Sequence, residues 1–186
     1  MASILKVDSI KTTTGKNIVN STGSVLQVLQ TTKTDVQSIQ STTLLEIGDL
    51  NLTITPSSTS SKMLIMANPS LSGYGHLDAK LTRTVGGTAT DLLKGDQVGS
   101  NRIRSHWHSY KVTNFNTTYA NDPVVMHYLD SPNTTSAVTY KILVGTPNDA
   151  SSYIIYVNRQ YSDGDNAWAG TTASTLTVME IAGWQI

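Results

Sequence analysis

From Ser24 onward the apolar residues of this chain recur at every second position, a period that builds strands and leaves little room for any other element. Leu50, Leu52 and Ile54 alternate with Asn51, Thr53 and Thr55, and the run stops at Pro56-Ser57-Ser58-Thr59-Ser60-Ser61, which reads as a strand entering a loop. Leu77, Ala79, Leu81 and Val85 alternate with Asp78, Lys80, Thr82 and Thr84. The Gly86-Gly87 pair that follows supplies the positive φ of a tight hairpin, so Thr88 to Leu93 should return antiparallel.

Further strands are expected near Ile103 to Tyr110, Val124 to Leu129, Val138 to Val144, Ser152 to Val157 and Thr175 to Ile181, separated by Asp, Pro, Asn and Gly clusters. No convincing helical period of ten residues or more is present. Eight or more short strands at intervals of roughly 8 to 12 residues predict an all-β, antiparallel sandwich, for which the jelly roll is the common solution at this length.

The composition agrees with that architecture. Apolar residues make up 38% of the 186 and charged residues 14%, while Ser and Thr supply about a quarter. Low hydrophobicity leads to disorder mainly when joined to high net charge, and here 13 basic residues balance 13 acidic ones. Thr, Val, Ile and Tyr suit a pleated, half-buried surface.

A zero net charge with no basic stripe argues against a nucleic-acid partner. Met63-Leu64-Ile65-Met66-Ala67 and Tyr153-Ile154-Ile155-Tyr156-Val157 are strand length and fall well short of the roughly 20 residues that cross a bilayer, so no membrane insertion is expected. Met1-Ala2-Ser3-Ile4-Leu5-Lys6 lacks a signal-peptide apolar region. With no Cys, stability must come from packing or from other subunits. The sequons at Asn20, Asn51, Asn116 and Asn133 are expected by chance in so Thr-rich a chain.

Residues 1–30 read differently from residues 31–186. Short apolar pairs alternate with turn chemistry, and Thr14-Gly15-Lys16-Asn17-Ile18-Val19 is echoed by Thr22-Gly23-Ser24-Val25-Leu26. A segment that lacks its own core becomes stable when identical segments wrap round one axis, which predicts an N-terminal stalk or anchor; the alternative is a frayed arm. The anchor candidates are Ile4, Leu5, Val7, Ile10, Ile18 and Val19.

The chemistry-bearing residues are sparse. His106-Trp107-His108 would put two imidazoles on one strand face, able to share a metal, but Arg102 and Arg104 fall on the same face and repel a cation; no metal and no cofactor is expected. Asp163-Gly164-Asp165 and the pair Asp91 and Asp96 lack the six to eight oxygens of a Ca²⁺ site, and Asp-Gly-Asp reads as a turn. There is no phosphate loop, nucleophile elbow or His-Glu-x-x-His run, so no enzyme is expected. Trp107, Tyr119, Tyr161 and Trp168 lie in or near loops rich in Asn, Asp, Ser and Gly, a mixture suited to binding sugars or proteins. With Arg159, Asp163 and Asp165 they form the candidate contact set, centred on the loop from Asn158 to Gly170. Taken singly, Trp107 and Trp168 are equally suited to closing the ends of the core.

Ile4-Leu5-Lys6-Val7-Asp8-Ser9-Ile10 leading into Thr14-Gly15, the segment Ile54 to Ile65, and three later motifs share a pattern: Tyr128 to Thr135, Tyr156-Val157-Asn158-Arg159 and Ser174 to Ile181. With these the chain resembles the short fibre-like virion proteins of marine tailed phages, including those of cyanobacterial hosts. The resemblance runs from end to end and is thinnest between Val85 and Asn121, so ligand recognition is not carried over. It implies a homotrimer on the virion surface, with the N-terminal segment attached to other virion proteins, in the tail or the capsid, and a knob resembling the tumour-necrosis-factor-like jelly roll pointing outward.

The expected function is that of a tail fibre whose knob adsorbs to a host-surface glycan or protein, three copies multiplying a weak contact by effective concentration. A capsid head fibre or decoration without receptor binding, and a carbohydrate-binding module, are the alternatives. The strands with Leu176, Val178 and Tyr153 are expected near the trimer axis.

Overall fold

The computed structural model describes residues 22–111, 118–147 and 153–183. The strands are β1 (Val25–Lys33), β2 (Gln37–Ile39), β3 (Leu45–Ile54), β4 (Lys62–Asn68), β5 (Ser70–Gly73), β6 (Gly75–Val85) and β7 (Thr88–Leu92). They continue with β8 (Trp107–Lys111), β9 (Asp122–Pro123), β10 (Met126–Asp130), β11 (Val138–Gly145), β12 (Ile155–Val157) and β13 (Ser174–Ile181). No helix among the described residues is long and apolar enough to cross a membrane.

One sheet runs β1-β13-β4-β10, and a second runs β3-β11-β6-β7, with β8 sharing the β7 edge of β6. Every pairing is antiparallel. Apart from the β6–β7 hairpin, most chain neighbours separate into opposite sheets and distant segments pair, as Leu29 does with Val178, which is the strand order of a jelly roll. The expected all-β sandwich is therefore the observed one.

The period-two pattern is what divides core from surface. On β4 the burial alternates strictly, with Met63, Ile65 and Ala67 inward and fully covered. Leu77, Ala79 and Leu81 on β6, Val138, Tyr140, Ile142 and Val144 on β11, and Leu176 and Val178 on β13 complete the core between the sheets. Each fully buried aliphatic side chain contributes about 1.5–3 kcal/mol over an exposed one. Gly86 (φ 54°) and Gly87 (φ 83°) close the β6–β7 hairpin in the left-handed backbone that the type I′ turn requires.

The first sheet is bent across its width. A short sheet β2-β12-β5-β9 repeats the order of the long one, each short strand lying next in the chain to its long partner, with Pro69 standing between β4 and β5. Pro69 has no N–H to give the ladder, but its carbonyl accepts from Val124 at 2.8 Å. Gly73 (φ 152°) and Gly75 (φ 81°) then carry the chain from the first sheet into β6 of the second. A Cβ on Gly73 would lie 2.7 Å from the Ile154 carbonyl, so the crossing needs glycine on both counts.

Several expectations require correction. Leu176 and Val178 are wholly buried in the core of their own subunit, so β13 has only its opposite face, with Met179 and Ile181, to offer a neighbour. β1 starts at Val25 and pairs along β13, so residues 25–30 belong to the sandwich; their apolar pairs serve its sheet. The six anchor candidates lie outside the described residues. The strand expected from Ile103 starts only at Trp107, because residues 94–105 are tied into a loop by Gly95 N–H to Ser105 O at 3.4 Å and Arg104 Nε to Gly95 O at 2.6 Å. The strand expected from Ser152 is short, Ile155–Val157.

Candidate functional site

The loop between β12 and β13 leaves the sheet at Asn158 and returns at Ser174, interrupting what would otherwise be one continuous strand. Asn158 holds both sides of the gap. Its Nδ2 donates to the carbonyls of Lys33 and Asp35 at 2.8 and 2.9 Å, its N–H to Ser70 O at 3.0 Å, and its Oδ1 accepts from Ser174 Oγ at 2.6 Å. Its φ of 65° is left-handed, a conformation Asn adopts at little cost. A bridge between Arg159 and Thr171 and the bond from Thr172 N–H to Asn158 O narrow the neck of the loop.

Above that neck, aromatic rings stiffen the loop. Tyr161 lies 4.0 Å from Tyr74 and 5.4 Å from Tyr156 between ring centroids. Arg159 stacks over Tyr156 at 3.7 Å and pairs with Asp163 at 3.2 Å, while its Nη1 also donates to the carbonyls of Gln160 and Tyr161. Burial raises the Tyr161 phenol above its ordinary value, and the neighbouring Tyr156 and Tyr74 add to this, so it remains a hydroxyl at neutral pH.

The chain before β9 is the second wall. Tyr74 Oη and Thr118 Oγ1 are 2.5 Å apart, Ser162 N–H donates to Thr118 O at 3.0 Å, and Asn121 Nδ2 donates to Thr172 Oγ1 at 2.8 Å. Tyr119 meets the edge of Trp168 at 5.0 Å and 86°. Trp168 is 56% exposed, an apolar ring held upright by an edge contact and presented to solvent. Asp163 and Asp165 are exposed on the same loop.

Contacts within the loop and with the chain before β9 thus tie Tyr119, Arg159, Tyr161, Asp163 and Trp168 into one assembly, with Asp165 exposed on the same loop. Trp107 does not join it. It sits on β8, partly buried against the core, and its role is packing. The reading also missed Tyr74 and Thr118; the flanking Gly73 and Gly75 were the signal for Tyr74, marking a place where a lone ring leaves the sheet.

His106 and His108 part company. His106 precedes β8 and its Nε2 is 3.2 Å from Val125 O, whereas His108 lies on the strand with Nδ1 3.2 Å from Asp78 Oδ1. Among the described residues no group of three or more His, Asp or Glu side chains could hold a metal ion. The loop assembly provides a flat apolar ring, carboxylate acceptors and hydroxyls on a stiff base, which is the equipment of a contact surface.

No protein-family model and no curated protein matches the chain. Among solved structures it is similar to VP2 of infectious bursal disease virus in its subviral particle, with a TM-score of 0.40 and 13% identity over 88% of this chain and 39% of that one. The infectious bursal disease virus Gx strain gives 0.40 and 12% over 88% and 38%, and the Gt strain 0.34 and 10% over 88% and 39%. The chain thus spans about two fifths of the length of those proteins. At that level of likeness the surfaces of this chain, and not those of VP2, must carry the functional reading.

Proposed function

We propose that the chain is a non-enzymatic virion structural protein, a jelly-roll subunit that assembles with copies of itself as a homotrimer and presents the loop between Asn158 and Ser174 for adsorption to a host-surface glycan or protein. The observation that carries this reading is the outer face of the first sheet. Register places Leu129, Leu64, Met179 and Val28 side by side across all four strands, with Ile181 and Val25 in the next outward-facing row. Leu129 is 54% exposed, Val25 53% and Val28 51%.

An apolar stripe right across a sheet is costly to leave in water and marks an interface. Copies of this chain are the occupant that fits. The central row bears no charged side chain, Lys62 stands beside Ile181 in the next row, and the chain carries no net charge, so identical faces approach with little repulsion. Resemblance to fibre-like virion proteins supplies the virion setting and the attachment role of the N-terminal segment that precedes β1.

Sedimentation of the full chain tests the assembly: the expected mass is three times the 20.0 kDa of one chain, and Leu129→Glu should return it to a monomer with an unchanged circular dichroism spectrum. A wild-type monomer overturns the assembly. Immunogold labelling of particles then locates the protein. Competition of phage adsorption by the purified protein separates an adsorption fibre from a head decoration, and absence from particles would leave a carbohydrate-binding module.

A further inference from the structure

The outer face of the second sheet carries a cavity of about 470 Å³, lined by His76, Asp78, Asn101, Arg102, Ile103 and His108. The pairing of β6 with β8 builds its floor. Asp78 stands opposite His108 and His76 opposite Tyr110, while the intervening Leu77 points into the core. The rings of His76 and His108 stack at 5.5 Å, and His76 lies 4.6 Å from Tyr110. Residues 101–103, from the loop that replaces the expected start of β8, supply the remaining wall.

Asp78 is the unusual member. It is only 1% exposed; Oδ1 is 3.2 Å from His108 Nδ1, but Oδ2 is buried with no hydrogen-bond partner among the described residues. A buried carboxylate oxygen that its own protein leaves unpaired is costly, so a ligand that brings a donor to that atom gains by pairing it.

Charge decides which donor. A cationic ligand would meet the Arg102 guanidinium in the same small space, and an anionic one would meet the Asp78 carboxylate. No described group of three His, Asp or Glu side chains could hold a metal ion. A neutral polyol avoids all three conflicts: one hydroxyl donates to Asp78 Oδ2 while its ring and hydroxyl oxygens accept from Asn101 and Arg102. The flat imidazole faces and Ile103 offer apolar walls to the C–H side of a sugar ring. The volume falls within the range of small-ligand sites and suits one or two pyranose units.

We propose that this cavity binds a neutral pyranose sugar through Asp78, His76, His108, Asn101 and Arg102. The adsorption reading would give such a site its use, but the binding chemistry stands apart from assembly and from the Trp168 loop.

Saturation-transfer NMR and titration of the full chain with methyl glucoside, methyl galactoside, methyl mannoside and N-acetylglucosamine test it, with methylammonium and inorganic phosphate as charged counterparts. At least one neutral sugar should bind, and Asp78→Asn should weaken it tenfold or more. Ile103→Trp, a loop change that fills the cavity without touching the core, should abolish binding and keeps the test sound if Asp78→Asn fails to fold. Binding that survives Ile103→Trp, binding of only methylammonium or phosphate, or no binding of any sugar would each overturn the proposal. Trimer mass and particle location are read separately, so failure here is distinct from failure of the assembly reading.

Discussion

Ser174 Oγ donates to Asn158 Oδ1 at 2.6 Å across the neck of the β12–β13 loop, and the same Ser174 Oγ accepts the Ser70 N–H at 2.9 Å. Three segments far apart in sequence thus meet at two buried side chains, each 0% exposed. The loop can carry exposed rings because its two ends are fixed there.

Asn158→Asp is the sharpest test of that arrangement. Asp keeps the shape and tolerates the left-handed backbone, but it replaces the amide donor with an oxygen facing the carbonyls of Lys33 and Asp35. Urea denaturation should show a loss of about 3 kcal/mol, the scale of buried polar groups left unpaired. Ser174→Ala should cost about 1–2 kcal/mol. A neutral Asn158→Asp would mean that the neck is held by other contacts.

Much of this fold was legible in the order of residues, and the reasons differ from place to place. Leu77, Ala79 and Leu81 declare a strand because they alternate with Asp78, Lys80 and Thr82, and Gly86-Gly87 declares a hairpin because the turn is local. Tyr156-Val157-Asn158-Arg159 looks like a strand meeting a turn, yet the three partners of the Asn158 side chain come from positions 33, 35 and 174, which no local pattern connects. Tyr119, Tyr161 and Trp168 fall on loops, as rings set among Asn, Asp and Gly do. Trp107 looked the same in sequence and proved to be packing, since only register shows which side of β8 it occupies.

Glu180 illustrates a charge placed at a core position. It follows Leu176 and Val178 on the inward parity of β13 and is 0% exposed. Ser57 N–H and Oγ and Ser61 Oγ donate to its Oε1 at 2.6–2.7 Å, and Gln27 Nε2 donates to Oε2 at 2.6 Å. The Ser-rich loop after β3 is thus a donor set wrapped around a carboxylate. Burial pushes this carboxyl up, but hydrogen bonds from Ser57, Ser61 and Gln27 outweigh it and hold the group below its ordinary value.

Because the folded value lies below the unfolded one, the unfolded chain takes up the proton first as pH falls. The stability that Glu180 contributes is therefore complete above an ordinary glutamate value of about 4.3 and is lost as pH falls through the lower folded value. Glu180→Gln should cost about 1.5–3 kcal/mol at pH 7 and progressively less in acid, where the wild type loses the same interaction. Denaturant midpoints measured from pH 7 to pH 2.5 check this; parallel curves would refute it.

Asp130 links the two sheets from the end of β10. Arg83 Nη1 reaches its Oδ1 and Oδ2 at 2.7 and 3.0 Å, and the Tyr140 hydroxyl donates to Oδ2 at 2.7 Å. Burial lifts the Tyr140 phenol far above its ordinary value, and the bond to Asp130 and that residue's charge add to the rise, against a smaller opposite pull from Arg83. A raised folded value means that this contribution is complete below about pH 10 and is lost as pH climbs past it. In an alkaline ultraviolet titration, Tyr140 should ionise only when the protein unfolds. Tyr140→Phe should remove one tyrosine from that late step and cost about 1–1.5 kcal/mol at neutral pH.

The two described tryptophans should behave in opposite ways. Trp107 is partly buried against the core, so Trp107→Ala should lower stability by about 2–4 kcal/mol, somewhat less than a fully buried ring. Trp168 is 56% exposed and touches Tyr119 only along an edge, so Trp168→Ala should cost under about 1 kcal/mol. Adsorption should reverse the order. If the loop is the contact surface, purified Trp168→Ala protein should compete for phage adsorption at least tenfold less well than wild type, as loss of an exposed aromatic anchor does at protein interfaces. Trp107→Ala, assayed below its melting temperature, should compete normally. Thermal melts alongside the competition assay separate the two effects, and a Trp168→Ala protein that competes as well as wild type would remove the loop from the contact.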